Sequence, residues 1–184
     1  MSGMLDDQAL LAGARRYEEQ ALAEIYDRYN LGLYRYCVRL LGDPDTAEDC
    51  VAETYSRLLR ALRSGGGPND YLRAYLYRVA HNWIVDYRRK GESEDRTLEF
   101  VTTDGTDKSP SEIVQGEIDR KDVRDALFQL TPDQRQVIVL KYFEGLSNEE
   151  VAAAVDKTIG AVKSLQNRGL ASLKRLMTVQ ENTP

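Results

Sequence analysis

The chain has 184 residues, 42% of them hydrophobic and 30% charged, enough apolar surface for one modest core or two small ones and too many aromatics for a disordered polymer. Two cysteines and a single histidine exclude a disulfide framework and a four-ligand zinc site, and no apolar run approaches the roughly 18 residues needed to cross a bilayer. The formal net charge of -5 speaks against nucleic acid only if it is spread evenly. It is not. Residues 1–90 hold 13 basic and 13 acidic side chains, 91–118 hold 2 and 8, and 119–184 hold 10 and 9.

The first residues, Met1 to Leu10, lack the basic start and apolar stretch of a secretion signal, so a cytoplasmic protein without membrane insertion is expected. Leu22, Ile25, Tyr26, Tyr29, Leu33, Tyr36, Val38 and Leu40 then recur every three to four residues with charges between them, the pattern of an amphipathic helix. Cys37 lies on this stretch and Cys50 on the next, and both read as buried thiols. Gly42-Asp43-Pro44-Asp45 stops the helix. Thr46 is expected to cap a following one, with Asp49 three residues on and Val51, Tyr55, Leu58, Leu59 and Leu62 on its apolar face. Asp43, Asp45, Glu48, Asp49 and Glu53 make its start acidic, a surface suited to a basic protein partner rather than to DNA.

Gly65-Gly66-Gly67-Pro68 ends that helix, and Asn69 or Asp70 caps the next. The run YLRAYLYRVAHNWIVDYRRK sets Leu72, Tyr75, Leu76, Val79, Trp83 and Tyr87 on one side and Arg73, Arg78, His81, Asn82, Arg88 and Arg89 on the other. Residues 71–90 carry five basic side chains against Asp86 alone. Such a helix suits single-stranded DNA, since rings stack on unpaired bases while cations follow the backbone, yet the same pattern also serves ordinary core packing with a solvated arginine face. Residues 91–117 are rich in Gly, Ser, Thr and acids, contain Pro110 and lack periodicity, which predicts a flexible acidic linker.

Beyond it, Asp122 to Gln129 predicts a short helix, and Thr131-Pro132 the cap and first residue of another that is broken by Gly145. Ser147 with Glu150 forms a capping box, Asp156 takes a left-handed turn, and Thr158 caps a long last helix through Leu176. A short helix, a tight turn and a longer helix describe a helix-turn-helix. Lys157, Thr158, Gly160, Ala161, Lys163, Ser164, Asn167 and Arg168 then form its outward side, with Lys163 and Arg168 suited to phosphate or guanine and Asn167 to adenine. A hairpin of this kind also occurs in ordinary helical bundles, so the pattern alone leaves DNA binding open.

Three ordered runs carry a family resemblance over nearly the whole chain: AEIYDRYNLGLYRYCVRLLGDPDTAEDCVAETYSRLLRAL, LRAYLYRVAHNWIVDYRRK and LFQLTPDQRQVIVLKYFEGLSNEEVAAAVDKTIGAVKSLQNRGLASL. Together they resemble an extracytoplasmic-function sigma factor. The resemblance implies an all-α protein of two small helical domains, a sigma-2-like bundle over 1–90 and a sigma-4-like helix-turn-helix over 118–184, joined by the 91–117 linker. It implies core RNA polymerase, promoter DNA and an anti-sigma factor as partners, and neither catalysis nor a cofactor. Asp49, Glu53, Thr54 and Arg57 would dock on the polymerase. Arg73, Arg78, Asn82, Arg88 and Arg89 would handle the −10 element, and Lys157 to Arg168 the −35 element.

Against the family's usual pattern, Gly65-Gly66-Gly67 stands where many members have an aromatic, Leu165-Gln166 replaces a common Arg-Leu, and Asn167-Arg168-Gly169-Leu170 replaces a common His-Arg-Ala-Arg, which removes two expected basic contacts. A rival reading, a stand-alone helix-turn-helix regulator bound to an operator as a dimer, would have no use for the first half.

Overall fold

The computed structural model describes residues 6–93 and 121–181, and the expected linker, apart from residues 91–93, lies outside them. The described residues contain helices and turns and no strand. Helix α1 (Asp7–Arg15) begins where Asp6 accepts a 2.7 Å hydrogen bond from the Ala9 amide, and it buries Leu10, Leu11 and Ala14. The sequence reading passed over this helix, although an acidic cap before ALLAGAR is a usable start signal.

After a left-handed turn at Tyr17, α2 (Glu19–Leu41) buries Ile25, Tyr29, Leu33, Tyr36 and Leu40 of the expected stripe together with Cys37, while Leu22 and Val38 are half-buried and Tyr26 is exposed. It ends on Gly42 at φ 80°, a conformation that costs little without a Cβ. The next helix, α3 (Pro44–Arg63), starts earlier than expected. Asp43 rather than Thr46 is the cap: its carboxylate accepts the Thr46 amide at 2.8 Å and the Thr46 hydroxyl as well, and Pro44 occupies the first turn. The two cysteines are buried and free, with Sγ atoms 3.3 Å apart between α2 and α3.

Helix α4 (Leu72–Ser93) starts after Tyr71, which takes φ 47°, and it runs three residues into the segment assigned to the linker. The Asn69 side chain is engaged elsewhere, accepting a 3.0 Å bond from Arg15. The second half comprises α5 (Lys121–Gln129), α6 (Pro132–Ile138) with a π-helical extension over Val139–Phe143, α7 (Asn148–Val155) and α8 (Ile159–Glu181). Its start signals are realised as read: Thr131 caps α6 with Pro132 in the first turn, Ser147 and Glu150 form a capping box, Asp156 sits at φ 53°, and the Ala161 amide donates to the Thr158 hydroxyl at 3.2 Å; Gln134 adds to Thr131 a second capping box that the sequence analysis does not name.

The halves do not stand apart. One continuous core runs from Leu10, Ile25, Leu58 and Leu76 to Ile138, Leu140, Val151 and Val162, and α4 lies between α2 and α3 on one side and α7 on the other. That sandwiching rotates the buried positions of α4 from the expected stripe. Leu72, Leu76, Tyr77, Ala80 and Ile84 are buried, whereas Tyr75, Val79 and Trp83 are half-buried and Tyr87 is exposed. A helix covered on two sides has no single apolar stripe to read.

Candidate nucleic-acid interface

The acidic start of α3 is a solvent-facing surface. Asp43, Asp45, Glu48 and Asp49 are exposed, and after burial itself it is the carboxylates of Glu48, Asp45 and Asp43 that push the Tyr34 hydroxyl upward, which gathers these acids on one patch. Glu53 follows on the same helix, held by Arg57 at 2.9 Å and Arg60 at 2.6 Å; the hydrogen bond from Arg57, and after it Arg60, draws its carboxyl below the usual range. Thr54 faces the other way. It is wholly buried and donates its hydroxyl to the Cys50 carbonyl at 2.8 Å, so its side chain touches core rather than a partner.

Along α4 the five cations and amides expected on one face are divided between two. Asn82 and Arg89 are exposed, the latter paired with Asp86 at 3.1 Å, and Arg78 sits 5.6 Å from the Tyr75 ring centre. Beside them Trp83 and Tyr87 stack at 5.1 Å with planes 9° apart, an aromatic step at the surface next to cations. Arg73 and Arg88 point elsewhere: Arg73 donates to the Glu144 carbonyl of the second half, and Arg88 to the Leu40 carbonyl of α2.

His81 lies with this inner set. The Tyr36 hydroxyl is 3.1 Å from its Nδ1, and burial, reinforced by the Arg88 cation, lowers the imidazole to about 4. It is therefore neutral at physiological pH and hydrogen-bonded to Tyr36. It sits apart from Asn82, half-buried and within electrostatic reach of Asp133 and Lys157 of the second half.

The helix-turn-helix presents its second helix openly. Lys157, Thr158, Gly160, Lys163, Ser164, Asn167 and Arg168 are all exposed, and Ala161 is half-buried. Lys157 pairs with Asp133 at 3.3 Å. Leu165 and Gln166, which replace commoner family residues, are buried, and Gln166 donates to Asn148 at 2.9 Å, so these positions tie α8 to the start of α7. Gly169 serves packing too: a Cβ there would lie 2.8 Å from Ile138 Cγ1.

Three residues to which the sequence assigns no functional role, Glu144, Arg39 and Tyr77, meet at the junction between halves. Glu144 is buried with Oε1 2.7 Å from Arg39, while Oε2 accepts from the Tyr77 hydroxyl at 3.1 Å. Sequence offers no signal for them, since a Glu before Gly145 and an Arg within α2 read as surface charges. No helix among the described residues is long and apolar enough to cross a membrane.

Comparison with known proteins agrees in both halves. Residues 25–94 match the family Sigma-70 region 2 and residues 120–173 match Sigma-70, region 4. The chain is 32% identical over 173 residues to the ECF RNA polymerase sigma factor SigL of Mycobacterium tuberculosis, covering 94% of this chain and 97% of that one. It is 31% identical over 170 residues to the ECF RNA polymerase sigma factor BldN of Streptomyces coelicolor, covering 91% of this chain but spanning only 64% of that protein's length. Its fold superposes with a TM-score of 0.65 and 27% identity on the sigma factor RpoE solved in complex with the anti-sigma factor NepR from Bartonella quintana, covering 85% of this chain and 98% of that one. Both matched regions lie in order along the chain, and it belongs to the extracytoplasmic-function group of the sigma-70 family, the promoter-recognising sigma factors of RNA polymerase.

Proposed function

We propose that this chain binds core RNA polymerase and directs it to promoters by reading −10 DNA with α4 and −35 DNA with α8, the polymerase performing the chemistry. The observation that carries the reading is the open outer side of α8, where Lys163, Ser164, Asn167 and Arg168 stand exposed behind a capped turn, as a major-groove helix requires. In this division 1–90 is the polymerase and −10 unit, 118–184 the −35 unit and 91–117 the tether. Asp49, Glu53 and Arg57 dock on the polymerase. Thr54 supports that helix from inside. Arg78, Asn82 and Arg89 meet melted DNA at once; Arg73 joins when it leaves the Glu144 carbonyl, and Arg88 when it leaves the Leu40 carbonyl of α2.

The protein works in the cytoplasm, where its polymerase and DNA are, and it is a regulator rather than an enzyme. The RpoE structure contains an anti-sigma factor, and a protein of that kind is proposed as a partner here. Purified chain added to core polymerase should yield promoter-specific run-off transcripts from a library of genomic promoters. Stable core binding without any transcript overturns the reading. Affinity purification of the chain from uninduced cells should bring down a second small protein in place of polymerase.

A further inference from the structure

Arg15, in the last turn of α1, holds the loop between α3 and α4 from 51 to 54 residues away in the chain. One terminal nitrogen of its guanidinium donates to the Gly66 carbonyl at 3.0 Å, and the other to the Pro68 carbonyl at 2.8 Å and to Asn69 Oδ1 at 3.0 Å. Apart from the buried Pro68 ring, little else fixes this loop. The bonds that finish α3 stop at Gly66, whose amide donates to the Ala61 carbonyl at 2.9 Å, and no backbone-to-backbone hydrogen bond involves residues 67–70. Gly65 and Gly67 take φ 77° and 86°, and a Cβ on Gly65 would meet nothing within 4 Å, so conformational choice is widest where packing is thinnest. Helix α1, by contrast, is anchored at both ends. Asp7 accepts from the Tyr29 hydroxyl and from Arg28 of α2, and just past the helix the Tyr17 hydroxyl donates to the Leu59 carbonyl of α3 at 3.1 Å. Arg15 thus clamps a soft loop to a rigid support.

The clamped loop leads directly into α4. Tyr71, the residue before the helix, is 50% exposed at φ 47°, a left-handed conformation that a bulky residue keeps only where its surroundings impose it. In helical register it stands at the head of the side that carries Tyr75, Arg78 and Asn82. An exposed ring there can stack on an unpaired base while the cations beyond it follow the backbone.

We propose that Arg15 is a positioning residue for promoter engagement: by holding residues 66–69 it sets the direction in which α4 begins and aims Tyr71 at the melted strand. Helix α1, which precedes the region 2 match, then helps decide how the −10 bases are read. The inference rests on the −10 role proposed for α4. Arg15 acts through the loop, because its donors are spent on loop oxygens rather than turned toward DNA.

The test uses the full chain with Arg15→Ala, Arg15→Lys and Tyr71→Ala, and with Arg16→Ala as a charge control, since Arg16 pairs with Glu18 at the surface. In the free chain, hydrogen exchange across residues 64–72 should speed by about tenfold or more in Arg15→Ala, by less in Arg15→Lys, and not at all in Arg16→Ala. Unchanged exchange overturns the clamp. Assembled with core polymerase, Arg15→Ala should bind core as wild type does, yet discriminate among single-base variants of the −10 element about fivefold less, with its response to −35 variants unaltered. Unaltered −10 discrimination, or an equal loss on every promoter variant, overturns the positioning role. The double variant Arg15→Ala/Tyr71→Ala should discriminate no worse than Tyr71→Ala alone, and additive losses overturn the route through Tyr71. Circular dichroism checks that the variants fold. If Arg15→Ala does not, Arg15→Gln, which keeps one donor group for the loop, carries the same comparison with smaller effects expected. A wild-type chain that yields no promoter-specific transcript defeats the promoter role, while the exchange measurement still judges the clamp by itself.

Discussion

The hydroxyl of Tyr36 and Nδ1 of His81 are 3.1 Å apart, a hydrogen bond that joins the middle of α2 to the middle of α4 and uses the only histidine in the chain. Tyr36 is fully buried, and the imidazole next to it faces Arg88 from its own helix and Asp133 and Lys157 from the second half. The environment favours the neutral ring.

Acid should therefore act through this residue. The folded-state value of His81 is lowered from 6.5 to about 4, so between those limits the unfolded chain binds the proton and the folded chain does not. Stability from this group is complete above pH 6.5, falls as pH drops toward 4 and changes no further below it. At ~1.4 kcal/mol per unit the total is on the order of 3 kcal/mol. Thermal melts of wild type and His81→Gln across this range check it: the difference between the two should shrink or reverse toward pH 4, and a constant difference would count against the assignment.

Gly169→Ala should destabilise the second half by about 1–3 kcal/mol despite alanine's better helix propensity, because the new methyl meets Ile138 Cγ1 at 2.8 Å and Cδ1 at 3.2 Å inside a packed contact. Adding Ile138→Ala to it should cost less than the two single changes summed. Urea unfolding of the four proteins in the cycle measures the coupling.

Arg135 is a buried cation that closes the end of α5. Its Nε donates to the Leu127 carbonyl at 2.7 Å, its terminal nitrogen to Phe128 at 2.7 Å and Leu130 at 3.3 Å, and its plane lies 4.6 Å from the Phe128 ring centre. Burial lowers it to about 10, so it stays charged at neutral pH. Arg135→Met should cost about 2–4 kcal/mol by leaving carbonyls without donors, and Arg135→Lys less. Hydrogen exchange should show the loss concentrated in α5 and the start of α6.

On the proposed −35 side, Asn167→Ala and Lys163→Ala should fail differently. Loss of an amide that reads a base edge costs roughly 1–3 kcal/mol at one base position, whereas loss of a phosphate contact weakens all sequences alike and reduces the salt slope by about one. Binding of holoenzyme to a promoter and its single-base variants, at several salt concentrations, separates the two.

Much of the second half was legible locally. Thr131-Pro132, Ser147 with Glu150, Asp156 and Thr158 each act on backbone groups within four residues of themselves, so their roles survive whatever the rest of the chain does. Asp43 shows the limit of that reading: it and Thr46 both qualify as caps by type, and the Pro44 ring, which suits the first turn, decides for the earlier one.

The amino-acid order by itself determined the helices of α2, α3 and α5 to α8, the stretch of mixed aromatics and cations in α4, and the outward side of α8, because periodicity and capping are short-range. Only the tertiary structure decided which side of α4 is free. Arg73, His81 and Arg88 look like Arg78, Asn82 and Arg89 in sequence, and they part company because elements distant along the chain claim them: the Glu144 carbonyl of the second half takes Arg73, α2 takes His81 through Tyr36 and Arg88 through the Leu40 carbonyl, and Glu144 itself reaches Arg39 across 105 residues. A contact of that span leaves no local pattern, since each partner's burial is created by the other.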